Sequence, residues 1–237
     1  MRAQMINGIP VINNLAAAAA FAVSLNSYET ITQSLYDSAT YPAAGINQLT
    51  FFQLPIGSGT SALSGNAKTP EDTNMQGAGA MPAQQAYVIT SIELDVQPGF
   101  GVAGSEFPVA KLPSTISTSE AATAVNDAWI IRTTGYLNLN ISSKSYLLEG
   151  PLMKFPASND FEVMGAQSDT TTAAATQMSK TLYGKADGPA YVLSPNNLLL
   201  IPTMNFNVTL NWATAQAVTT AARIFVRFMG QLLRPAQ

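Results

Sequence analysis

Glu93 with Asp95, and Glu71 with Asp72 followed by Thr73 and Asn74, are the side chains whose type and spacing could do chemistry. Paired carboxylates hold calcium or divide acid–base work between them. Glu93 and Asp95 alternate with Ile92, Leu94 and Val96, a period of two that sets both acids on the wet face of one strand. No calcium-type loop of the DxDxG kind surrounds them, so a solvated strand face is expected. Glu71–Asn74 sits in a loop and is the better of two sparse cation candidates. Neither supplies a full ligand set. No catalytic residue, metal ligand or cofactor-binding residue is assigned.

The other motifs fail on context. Serine is abundant, but the chain has no His and no Cys. That excludes a Ser-His triad, the usual zinc sites, metal-holding cupins, disulfides and thiolate chemistry. Gly99-Phe100-Gly101-Val102-Ala103-Gly104 spells GxGxxG, yet Pro108 rather than a helix follows, which rules out a dinucleotide turn. Asn140-Ile141-Ser142 and Asn207-Val208-Thr209 match the glycosylation sequon but fall inside strand-like runs. Trp129 and Trp212 could stack on sugars, but each falls on the apolar side of its run, where core is expected.

Strands must position these residues. In Met204–Trp212 every even position is apolar and every odd one is Asn or Thr, which fits a half-buried strand. Ile224, Val226 and Phe228 alternate with Arg223 and Arg227, and these two runs are read as an antiparallel pair closing the chain. Upstream, strands are expected at 48–54, at 86–97 with Val88, Ile92, Leu94 and Val96 inward, and at 127–141 with a bulge at Gly135. Further strands are expected at 145–149, 152–155, 191–193 and 198–201. Polar stretches rich in Gly, Ser, Thr, Ala and Pro separate them, with a single helical turn at Ser119–Ala124. Before them, Leu15–Leu25 is Ala-rich, and Phe21, Leu25, Tyr28, Thr32 and Leu35 recur at helical spacing with Asn14 as N-cap. This predicts an N-terminal helical arm over residues 1–45 and a β-sandwich domain over 46–237. The arm's apolar run is too short to span a bilayer, which takes roughly 20 residues. About eight strands joined by long excursions favour a two-sheet Greek-key sandwich or jelly roll over an up-and-down barrel.

Composition narrows the role. Charged residues make up 11% of the chain against roughly a quarter in soluble domains. A surface of Asn, Thr, Ser, Gln and Ala suits extensive contact with neighbours, because charge is depleted at interface cores. The net charge of −3, with scattered Lys and Arg, offers no general attraction to nucleic acid.

The ending Ala222–Pro235, after a long alternating strand and an Ala/Thr link, resembles the closing strands of jelly-roll major capsid proteins of tailless icosahedral viruses. The order of arm, apolar strands and uncharged loops resembles them too. The resemblance implies an all-β fold, an antiparallel β-sandwich of single jelly-roll type. It also implies a non-enzymatic structural protein that self-assembles into an icosahedral shell, located in the virion and assembled in the host cytoplasm. Its partners would be copies of itself and other capsid proteins. Many such proteins carry basic N-terminal arms, whereas Arg2 is the only base in the first 60 residues here. That departure is more similar to the capsid proteins of membrane-containing bacteriophages, with an internal membrane as a partner of the N-terminal helix and no sequence-specific nucleic-acid binding. The rival class is a carbohydrate-binding or adhesive sandwich, a lectin or fibre domain, which needs exposed aromatics or acidic calcium loops.

Overall fold

The computed structural model describes residues 5–6, 9–10, 28–62, 64–98, 118–157, 161–162, 165–169, 177–181, 184–185, 190–193, 197–202 and 204–235. Two antiparallel sheets hold most of the strand residues among them. Their strands are β1 (Tyr28–Thr32), β2 (Leu35–Tyr41), β3 (Gln48–Phe51), β4 (Ala86–Pro98), β5 (Gly135–Ile141), β6 (Lys144–Glu149), β7 (Tyr191–Val192), β8 (Leu198–Leu200), β9 (Phe206–Trp212) and β10 (Ala222–Pro235). One helix, α1 (Thr118–Thr134), precedes β5. Met5–Ile6 with Ile9–Pro10, Phe161–Glu162 with Gly184–Lys185, and Gly165–Asp169 with Gln177–Thr181 are separate two-stranded pairings.

The long strands β4 and β10 pair along the middle of the first sheet. β1 and β2 lie in line along the free side of β10, and β7 and β8 in line along the free side of β4. The second sheet runs β3–β9–β5–β6. If each in-line couple counts as one lane, the chain has eight lanes, and the first pairs with the eighth, the second with the seventh, the third with the sixth and the fourth with the fifth. Lanes eight and three then join into one sheet, and seven and four into the other.

The inward faces supply the core. Phe206, Val208, Leu210 and Trp212 of β9 are buried, as their alternation requires, and so are Ile224, Val226 and Phe228 of β10. Phe52 stacks on Phe228 at 4.6 Å between ring centroids, and Tyr41 meets Trp212 edge-on at 4.9 Å. Aromatic pairs thus bind the first sheet to the second, through Phe228 of β10 in one place and Tyr41 of β2 in the other.

Several expectations are corrected. β9 and β10 are not partners; they lie in opposite sheets, and residues 213–221 cross between them. That crossing is tied to the β2–β3 turn by the Val218 N–H on Ala43 O at 2.9 Å and by the Tyr41 hydroxyl on Gln216 O at 2.6 Å. Residues 127–134 are helical, and the expected single turn at Ser119–Ala124 belongs to the same helix. Trp129 and Ile131, two apart, share a face only in a strand and fall on opposite sides of a helix, but the Ala-rich approach tips the balance to helix. Ile131 is buried, but Trp129 is 60% exposed rather than core. Leu152–Lys154 is a 3-10 turn, not an edge strand. Of the expected N-terminal helix, residues 11–27 lie outside the described residues, whereas Tyr28, Thr32 and Leu35 belong to β1 and β2.

Gly135 starts β5 without a bulge. Its missing side chain leaves room for the Trp212 ring and Leu152, either of which a Cβ would overlap. A bulge lies instead opposite Met229 and Gly230, where Thr90 is the extra residue on β4. The extra residue switches the inward parity of β4, so Tyr87 and Ile89 face the core beside Ile92 and Leu94, while Val88 turns to the other face. A Cβ at Gly230 would overlap the Val88 carbonyl, and the two backbones can approach only because residue 230 lacks one.

Candidate functional sites

The acidic candidates are buried, not wet. Glu93 is 2% exposed and Asp95 8% exposed on the outward face of the first sheet. The cause lies across the ladder: Arg227 stands directly opposite Glu93, and Arg227 reaches Asp95 at 3.6 Å. Gln97 donates to Asp95 at 2.6 Å. Phe225 lies between two guanidinium groups, Arg223 at 4.1 Å and Arg227 at 5.1 Å from the ring centroid. The aromatic face and the paired charges let these side chains leave water together.

The loop candidate joins the same region. Asp72 takes the Arg223 guanidinium at 3.0 Å, the Thr69 N–H at 3.1 Å and the Ser38 hydroxyl at 3.3 Å. Burial pushes its carboxyl up, but the hydrogen bonds from Ser61 and Thr69 and the charge of Arg223 outweigh it and hold Asp72 below the usual carboxylate range. Arg223 also donates to Glu71 O at 2.6 Å. Beside this pair, Lys68 donates to Asp37 Oδ1 at 2.6 Å and to Ser38 O at 2.7 Å, and the Phe52 N–H caps Asp37 Oδ2 at 2.6 Å. Burial dominates at Asp37 and raises its pKa despite the lysine.

These bonds fasten residues 68–74 over β2. Thr73 bridges Asp37 backbone to backbone, and Asn74 accepts the Tyr36 N–H at 2.9 Å and donates to Ser34 O at 2.7 Å. The free edge of β2 is covered, which protects it from pairing with stray strands. The carboxylates face lysine, arginine and backbone donors. Among the described residues no group of three metal-capable side chains converges. One cavity of about 160 Å³ opens between the β1–β2 turn, residues 74–76 and residues 81–85, lined by Gln33, Met75, Met81, Gln85 and Tyr87 among others. That volume is well short of the roughly 300 Å³ at which small-molecule pockets begin.

The outward face of the second sheet is the contrasting surface. β3 contributes Gln48 and Thr50, β9 Asn207, Thr209 and Asn211, and β5 Tyr136, Asn138 and Asn140. β6 adds Ser145 and Leu148. None of these strand positions is charged. The amides link across strands: Gln48 donates to Asn211 at 3.0 Å, Asn140 to Asn207 at 3.0 Å, and Ser145 to Asn138 at 2.5 Å. Asn211 in turn donates to Thr209 Oγ1 at 3.0 Å. Two apolar side chains stand out from this face, Leu148 at 65% and Tyr136 at 42% exposure. Both sequon asparagines, Asn140 and Asn207, are members of the ladder and bond to each other.

Of the residues singled out by sequence, Asp72, Asp95 and Glu93 come together with arginines in the first-sheet region, and Trp212 packs in the core. Gly99–Gly104 lies outside the described residues. The sequence reading missed Asp37 and Lys68, 31 positions apart. The signal for Asp37 was an acid at an inward strand position, obscured by the helical reading of that stretch. Among the described residues, no helix is long and apolar enough to cross a membrane. Compared with protein-family models, curated proteins and solved structures, the chain matches none.

Proposed function

We propose that this chain is a single jelly-roll capsid protein of a tailless icosahedral bacteriophage or related virus, a subunit that assembles with its own copies into the shell of a virion. The observation that carries the reading is the lane order. Pairing first with eighth, second with seventh, third with sixth and fourth with fifth is what results when one long antiparallel hairpin is rolled into two sheets. The uncharged face of the second sheet supports it, because repeated contact between identical subunits is hindered by like charge. The buried ion pairs hold a long loop to the sheet, as a wall element needs. An internal membrane remains the proposed partner of the N-terminal segment. The test is to express the full chain and look by sedimentation velocity and negative-stain microscopy for closed shells or rings. A protein that stays monomeric at high concentration across salt and pH overturns the reading.

A second reading, a carbohydrate-binding sandwich, draws on Trp129, whose indole stands exposed on α1. It requires that oligosaccharides quench Trp129 fluorescence and that Trp129→Ala abolish their binding.

A further inference from the structure

We infer that the uncharged face of the second sheet docks against the same face of a second copy of this chain; the inference rests on the shell reading and names the surface that reading leaves open. The chemistry of the face selects its occupant. An acidic or basic partner finds no complement on it, whereas an identical face brings no like charge against itself. Amides carry both donors and acceptors, so two copies related by a two-fold axis can satisfy each other. The cross-strand bonds from Gln48 to Asn211 and from Asn140 to Asn207 already fix those side chains, so little rotamer freedom is lost on docking. Leu148 and Tyr136 supply the apolar anchors that interface centres use.

Size sets the strength. Four strands about 4.8 Å apart, averaging about six residues at about 3.4 Å each, make a face on the order of 400 Å². A stable standard interface buries about 800 Å² on each partner. One docked pair is therefore weak alone and gains hold only where other contacts repeat around it, as in a shell.

The experiment is a concentration series of the full chain by analytical ultracentrifugation, comparing wild type with Asn207→Asp, Leu148→Asp and Val192→Asp. Val192, 53% exposed on β7 of the other sheet, is the control. Circular-dichroism melts confirm that each variant keeps its fold. The inference expects Asn207→Asp and Leu148→Asp to weaken association at least about tenfold, or about 1.4 kcal/mol, with Val192→Asp unchanged. It further expects added salt to relieve the Asn207→Asp defect by screening the introduced charges. If wild type associates and both face variants associate equally well, the face is not the interface, the inference is overturned and the shell reading stands. If wild type never associates, both fall. Binding of an oligosaccharide to the face by a monomeric wild type overturns both in favour of the sugar-binding class.

Discussion

Lys68 is 6% exposed and Asp37 1%, an ion pair drawn out of water in a chain that spends few charges anywhere. Desolvation of such a pair offsets much of its attraction, so its loss hurts mainly when one partner is left behind. Lys68→Met is expected to destabilise by about 3–5 kcal/mol, because the Asp37 carboxylate stays buried without its cation. Lys68→Met with Asp37→Leu is expected to recover most of that loss, and urea unfolding of both proteins checks it. A double variant as unstable as the single one would show that the pair's geometry, not its charge, fastens the loop. Asp72 gives the pH dependence. Its carboxyl is held below its ordinary value in the folded state, so its contribution is fully present above about pH 4 and is lost as pH falls through the lowered value. Asp37, raised by burial, acts with the opposite sign: it favours the fold at low pH and loses that contribution as pH rises through its raised value. Asp72→Asn is therefore expected to be less stable at neutral pH and to show a flatter acid limb below about pH 4 than wild type. Urea midpoints measured across that limb decide it, and parallel slopes in the two proteins would count against the assignment.

Among the elements, β9 is the one whose faces are plainest. Val208→Asp buries a carboxylate between Phe206 and Leu210 and is expected to abolish folding, at several kcal/mol against a total stability of about 5–15 kcal/mol. Asn207→Asp leaves its charge on the outward face and is expected to change thermal stability by about 0.5 kcal/mol or less. Equal loss of soluble yield in both would mean that the two faces of β9 had been exchanged. This strand was legible because its period of two is unbroken from Met204 to Trp212. β4 was legible in position but only partly in facing, since the extra residue at Thr90 reverses the parity of Val88, and a bulge is set by the partner strand rather than by local pattern. β1 and β2 were hidden because Tyr28, Thr32 and Leu35 also fit a helical stripe, and only pairing with β10 makes them strands. The buried charges of the first sheet were illegible for a related reason. Nothing local to Glu93 or Asp95 announces that Arg223 and Arg227, more than a hundred residues away, will lie beside them.

For the molecule as a whole, the lanes matter more than any one strand. Deleting Tyr28–Tyr41 takes away both partners along one side of β10 and uncovers Ile224, Val226 and Phe228 at a raw edge. The truncated protein is expected to aggregate or lose its cooperative melt, which light scattering during a thermal ramp measures; a soluble protein with the wild-type melt would show that β10 holds without them. The same pairing order governs the path to the native state. β10 is the last of these strands to leave the ribosome, yet it is central to the first sheet, between β4 and the β1–β2 lane. Until it emerges, β1, β2 and β4 are neighbours in waiting with no strand to join them. Contacts of such sequence separation form slowly, since the long intervening chain must be closed before any pairing rewards it. The nascent chain therefore carries unpaired edges until β10 emerges, and its first sheet closes only then, in a single late step that joins the β1–β2 lane and β4 at once.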